Sequence, residues 1–274
     1  MSDISKIQIG SALYDINDAT ARNAIEAVTL NAVNRNGIYR GKDLGTITSS
    51  NVETFFSNHK ISTGEFTDLY LGDTFVIQDG TYNTRYLIAG FDPRYNKGDT
   101  ALTKHHIGCI PVSYVKTARM NETNTTVGGY YNSEMHQVTI PEIATQLKTV
   151  LGTHLLTHRC LLSDAMTADT LSMAGAGWKG ASTNWAWYDC EIVLLSEVEV
   201  YGSTVLSSSF YDIGEACQQL PVFQFIHHSK LARNWFWLRC VASSTLFCYA
   251  NNSGNANCGN ASNVSYVRPL ILLG

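Results

Sequence analysis

Apolar and polar positions alternate at the start of the chain. Ile7 and Ile9 flank Gln8, Gly10-Ser11 offers a two-residue turn, and Leu13, Tyr14 and Ile16 return, which predicts a hairpin over Lys6 to Ile16. The period then changes to helical. Asp18 caps a stretch in which Ala21, Ala24, Ile25 and Val28 recur on one face as far as Asn31. A hairpin plus one helix cannot bury its own apolar stripe, so this segment is expected to pack against copies of itself or a larger assembly. A turn-rich connector, Asn34 to Gly45, separates a segment of residues 1–40 from a main domain of residues 41–274.

In the main domain, Val52, Phe55, Phe56 and His59 share a helical face, and Ser50 stands three residues before Glu53 as in a capping box. From Phe66 to Phe91 the pattern is that of strands: Leu69, Leu71, Phe75 to Ile77, a turn at Asp79-Gly80, then Tyr82 and Tyr86 to Ala89. Ile107 to Tyr114 reads as another strand. Asn121 to Asn132 is a loop holding Gly128-Gly129, and Pro141 opens a helix with Ile143, Leu147, Val150 and Leu151 on one face and Gly152 as its stop. Trp185 and Trp187 are expected in the core, ahead of an apolar run, Ile192 to Val200, compatible with strand or helix. Helices and strands in irregular order point to the α+β class.

Composition narrows the function more than it narrows the fold. Of the 274 residues, 45% are hydrophobic and 15% charged, enough to bury a substantial core. A formal charge of -4 carries no footprint for nucleic acid, and no apolar run approaches the roughly 20 residues of a spanning helix. Met1 to Lys6 lacks the apolar core of a signal peptide, so synthesis and folding in a cytoplasm are expected. The seven cysteines have no C-x-x-C spacing, so they predict buried thiols in place of a zinc cage or disulfide framework.

Catalytic chemistry finds few carriers. His154 and His158 have the spacing of a metalloprotease pair, but Leu155 stands where the general-base Glu belongs. The adjacent pairs His105-His106 and His227-His228 diverge in a strand and chelate poorly. There is no nucleophile elbow and no P-loop, and no G-x-G-x-x-G is read as following a strand. Asp189 and Glu191 read as ion-pair partners for a buried Arg, with Arg239 or Arg268 as candidates. The expectation is a non-enzyme with neither cofactor nor metal.

The C-terminal stretch, Asn234 to Gly274, has firm ends and a loose middle. Trp235-Phe236-Trp237-Leu238-Arg239 opens it and Val267-Arg268-Pro269-Leu270-Ile271-Leu272-Leu273 closes it. Between them, Cys240 to Tyr266 contains no Lys, Arg, Asp, Glu, Gln, Met or Trp and is crowded with Asn, Ser, Ala, Gly and Cys. By itself such a tract means turns and short strands.

Taken together, these motifs resemble the variable proteins of diversity-generating retroelements, of the phage major tropism determinant type. The resemblance extends to Met120-Asn121-Glu122-Thr123-Asn124 through Gly128-Gly129-Tyr130, to His154 through Arg159, and to Trp187-Tyr188-Asp189. Ile4 to Gly10 and Tyr14 to Arg22 look like the virion-attachment ends of phage tail and fibre proteins. The resemblance implies a C-type-lectin-like domain at 41–274, preceded by an attachment and oligomerisation segment at 1–40. It also implies replacement of adenines in Asn codons, whose products exclude Lys, Glu, Gln, Met and Trp, as this tract does.

On that reading Trp237, Arg239 and Arg268 are scaffold, while Phe236, Ser244, Leu246, Cys248, Asn252, Ser253, Asn255, Asn257, Cys258, Asn260, Asn263 and Tyr266 touch ligand. The implied protein is a homotrimeric phage tail component, made in the host cytoplasm and carried on the virion. It binds a bacterial surface protein or glycan through the C-terminal face and other tail proteins through the N-terminus. A structural tail or baseplate protein is the alternative, and a formylglycine-generating-type oxidase using Cys248 and Cys258 a more distant one. Calcium-dependent sugar binding is not expected, because Trp187-Tyr188-Asp189 departs from the lectin Trp-Asn-Asp triplet.

Overall fold

Strands β6 (Ile107–Pro111) and β15 (Pro269–Leu273) are buried along their whole length and pair antiparallel, Ile271 opposite Cys109. A strand covered on both faces needs a continuous apolar run, and both sequences supply one. Pro269 is tolerated because it is the first residue of its strand. Around this pair the sheet extends in the order β10-β15-β6-β5-β4-β3, with β10 (Ile192–Leu194), β5 (Tyr82–Phe91), β4 (Thr74–Asp79) and β3 (Asp43–Ile47). Only β3 and β4 run parallel in it.

This computed structural model describes residues 6–9, 12–15, 35–166, 182–207, 218–225 and 234–274. The described chain is mixed α and β, with short helices and most of its order in sheets. A second, five-stranded sheet has the order β13-β12-β11-β14-β7: β13 (Ala256–Asn260), β12 (Leu246–Ala250), β11 (Phe236–Val241), β14 (Ser265–Val267) and β7 (Lys116–Ala118). Two hairpins complete the strands: β1 (Lys6–Ile9) with β2 (Ala12–Asp15), and β8 (His158–Met166) with β9 (Ser182–Cys190). The first is the hairpin expected from the N-terminal alternation. The helix expected over Asp18 to Asn31, the pair His227-His228 and Cys217 lie outside the described residues.

Helix α1 (Val52–Asn58) buries Val52 and Phe56 but lacks the capping box expected of it. Ser50 bonds the Thr48 hydroxyl, while Asn51 Oδ1 accepts Thr48 N–H at 2.8 Å, so the polar side chains serve the preceding turn. Helix α2 (Ile140–Leu151) buries Ile140, Ile143, Ala144, Leu147, Val150 and Leu151. It starts before Pro141, because a π-helical turn (Met135–Thr139) leads into it. The strand expected to reach Tyr114 ends at Pro111, and Ile192 to Val200 divides into β10 and helix α3 (Glu197–Tyr201). A last short helix, α4, covers Pro221–Phe225. Residues 35–40 dock on the main domain: Arg35 donates to Leu69 O, and Arg40 pairs with Asp68 and the buried Asp73.

Several side-chain expectations are corrected. Trp185 is 39% exposed and Trp187 half-buried, because β8 and β9 form a sheet of only two strands. Asp189 pairs with Arg159 and Glu191 with Lys148, both toward the surface. Arg239 instead meets Glu199, and Arg268 donates to Pro111 O at 2.7 Å.

Candidate functional site

The C-terminal tract folds as strands of the five-stranded sheet and the turns between them. Asn251 sets the first turn: its Oδ1 accepts N–H from Ser253 at 2.9 Å and from Asn255 at 3.0 Å, and Gly254 supplies φ +78°. Asn is suited to this because its short amide mimics a backbone acceptor. The hairpin continues through Tyr249 opposite Asn257, Cys248 opposite Cys258, and Leu246 opposite Asn260.

Strand alternation divides these residues between two faces. Tyr249, Asn257 and Gly259 lie on the side of Trp235 and Trp237, with the Trp235 ring stacked on Tyr249 at 5.0 Å. Leu246, Cys248, Cys258 and Asn260 lie on the other side, where Cys248 meets Glu197. Gly259 belongs to the frame, since a Cβ there would stand 2.9 Å from the Tyr249 ring.

Of the expected contact positions, Asn252, Ser253 and Asn255 are exposed at the hairpin tip, Asn257 and Asn260 on the edge strand, and Asn263 in the following turn. Ser244, Leu246, Cys258 and Tyr266 are half-buried. Phe236 and Cys248 are 0% exposed and cannot touch a ligand in this conformation. The Arg268 guanidinium lies 5.0 Å from the Phe236 ring centre, and Cys248 packs over the buried Glu197. The exposed positions form a strip instead of a pocket, because a five-residue strand separates the tip from Asn260 by on the order of 15 Å.

Two exposed aromatics outside the expected contact set stack on residues of the same sheet. Tyr114 stacks on Tyr266 at 3.8 Å, and Trp235 on Tyr249; Tyr114 and Trp235 are each 39% exposed. The Trp-Phe-Trp alternation already placed Trp235 and Trp237 on one face. Trp235 stands where its strand begins, with an open side. For Tyr114 no local signal exists, since it reaches Tyr266 only through the pairing of β7 with β14.

The frame beneath is rigid and polar where it must be. Trp237 Nε1 donates to Ala118 O at 3.0 Å. Glu199 lies between Arg94 and Arg239, all three buried, and closes a capping box with Ser196 at the start of α3. Glu197, also fully buried, accepts N–H from Val205, Leu206 and Ser207 and the Ser207 hydroxyl, which anchors that loop under the hairpin.

Elsewhere, Cys160 Sγ lies 3.2 Å from His158 Nε2, but Cys160 is 0% exposed and His158 Nδ1 has no partner to orient it, so a substrate has no approach. His154 is held by Gly274 O and Glu53 and stacks on Phe56, away from the metalloprotease arrangement. Among the described residues no three His, Cys, Asp or Glu side chains gather as a metal site, and no helix is long and apolar enough to cross a membrane. A cavity of about 600 Å³ lies between Pro93-Arg94-Tyr95 and Gln219-Leu220-Pro221, and one of about 360 Å³ between α2 and the end of β9. None of the expected contact residues lines either.

No family model, no curated protein and no solved structure matches this chain.

Proposed function

We propose that the protein is a phage tail receptor-binding protein, built on a C-type-lectin-like domain, whose C-terminal strip contacts a bacterial surface ligand. The observation that carries this reading is the division of labour in the C-terminal stretch. Asn252, Ser253, Asn255, Asn257, Asn260 and Asn263 are exposed, while Trp237, Arg239, Val267 and Arg268 between and beneath them are buried. Surface replacements away from such a frame change stability by within about 0.5 kcal/mol, so the strip can vary while the fold persists.

The strip carries no charged side chain between Cys240 and Tyr266, so its contacts are amide hydrogen bonds and aromatic surface from Trp235, Tyr114 and Tyr266. Residues 1–40 attach the protein to the virion, and trimeric display raises weak contacts by avidity of about 10²- to 10⁴-fold where geometry permits. The genetic test is a template repeat in the encoding DNA that differs from the Cys240–Tyr266 stretch only at adenines. Its absence removes diversification. The binding test is competition: the purified full chain blocks adsorption of particles to host cells, and a chain with Trp235→Ala, Tyr114→Ala and Tyr266→Ala together does not. Equal competition by both chains refutes contact through this strip.

A further inference from the structure

The register of the β12–β13 hairpin brings two thiols face to face. Asn251 N–H donates to Asn255 O, which makes that rung a hydrogen-bonded pair. Alternation along an antiparallel ladder then makes Tyr249–Asn257 hydrogen-bonded and Cys248–Cys258 non-hydrogen-bonded. Consistently, Cys258 N–H is taken by Asn257 Oδ1 at 2.8 Å, outside the ladder. Opposed Cα atoms in such a rung stand about 4.5 Å apart with side chains on the same face. A disulfide spans roughly 4.4–6.8 Å between Cα atoms, so no backbone movement is needed.

Access to the two sulfurs differs. Cys258 is half-buried on the edge strand, whereas Cys248 is fully buried, with Cys240 and Glu197 close to it. Cys240 accepts Glu197 N–H at 3.3 Å and lies in the bulge between Trp237 and Val241, beside Cys248, but it is buried on the central strand, out of reach of a peroxide that can meet Cys258. We propose that Cys258 and Cys248 form an oxidation site that closes to a cross-strand disulfide when a peroxide reaches Cys258. The proposal does not rest on the receptor reading.

The chemistry balances in two steps. The Cys258 sulfur attacks one peroxide oxygen, the O–O bond breaks, and Cys258 becomes a sulfenic acid with release of water. The Cys248 sulfur then attacks the Cys258 sulfur, the S–O bond breaks, and hydroxide leaves with the Cys248 proton as a second water. Two thiols are oxidised, one peroxide is reduced, and one S–S bond forms. Burial and the neighbouring Glu197 hold the Cys248 thiol well above its ordinary pKa, so the first attack on peroxide falls to the half-buried Cys258, and Cys248 enters only at the second step, giving up its proton as the S–O bond breaks. The ring so closed spans Tyr249 to Asn257 and contains the exposed tip.

The test treats the full chain with hydrogen peroxide, alkylates the remaining thiols under denaturing conditions, and maps the peptides by mass. The expected product is a single peptide pair joined through Cys248 and Cys258, two hydrogens lighter than the reduced pair and reverted by dithiothreitol. Cys258→Ser, on the edge strand, abolishes the link while its circular dichroism and Tm stay those of the parent. A Cys240–Cys248 link overturns the proposal, as does sulfinic acid at Cys258 with Cys248 still alkylated. A second readout needs no variant of a core residue: protease cleavage between Asn252 and Asn255 slows roughly tenfold on oxidation of the parent, because local opening must now strain a closed ring. An unchanged cleavage rate overturns the closure.

Discussion

Glu199→Ala removes a carboxylate that pairs with two buried guanidinium groups. Arg94 and Arg239 are 4% and 3% exposed at their side chains, and Glu199 1%. Deleting one member of a buried ion pair costs about 3–5 kcal/mol, because the charge left behind has given up water without compensation. The same carboxylate accepts Ser196 N–H at 2.8 Å in the α3 capping box, a cap contribution of about 1 kcal/mol. Together the loss is about 4–6 kcal/mol, against a total of about 5–15 kcal/mol for a typical domain. Urea unfolding followed by tryptophan fluorescence should show the midpoint collapsing toward zero denaturant. A triple replacement, Arg94→Met with Glu199→Leu and Arg239→Met, removes charge and counter-charge together and should recover most of the loss. If Glu199→Ala unfolds within about 1 kcal/mol of the parent, the buried network does not hold α3 to β11 and the reasoning fails.

Other outcomes follow from the same geometry. His106 and His136 are held near pKa 4, His106 by burial and then by the Arg94 charge, His136 by burial and then by the Arg239 charge. Both are neutral in the folded state from about pH 4 upward, whereas the unfolded imidazoles protonate below about 6.5. Stability is therefore full above about pH 6.5 and falls toward pH 4 by at most about 3 kcal/mol per histidine, as unfolding titrations across that window should show. Asp92, beside His106 and raised by its own burial, opposes part of this fall. Gly129→Ala places a Cβ 2.4 Å from Ser163 O at φ +63°, and a loss of at least about 2 kcal/mol in urea unfolding is expected. Asn252→Ser with Asn257→Ser changes Tm little, about 0.5 kcal/mol or less for each, whereas Cys248→Tyr overpacks a buried site and costs about 1–3 kcal/mol or more.

Period and composition carried the local architecture well where burial was one-sided or complete. The apolar run Leu270 to Leu273 and the spacing of Ile143, Leu147, Val150 and Leu151 announce a buried strand and a docked helix, as found. Features that depend on a distant partner were not legible. Glu199 lies far from Arg94 and Arg239 in sequence, so Asp189 and Glu191, close to each other, drew the expectation instead. Phe236 and Cys248 look like their exposed neighbours in composition. Only the strand register shows that they point inward, toward Arg268 and Glu197. The same register exposes Trp235 and joins Tyr114 to Tyr266.

Among the described residues, strand β13 closes one side of its sheet with no further strand beside it. Such margins invite a second molecule to add its own strand, and proteins usually deter this with a lysine or proline there. This one has neither between Ala256 and Asn260. Its deterrent is internal: Asn257 answers the outward N–H of Cys258, so that an incoming backbone finds the donor already engaged. Any exchange at position 257 therefore alters more than what the strip can grip. A replacement with no acceptor leaves the donor open to a neighbouring chain, which ties the freedom to change partners to the risk of clumping.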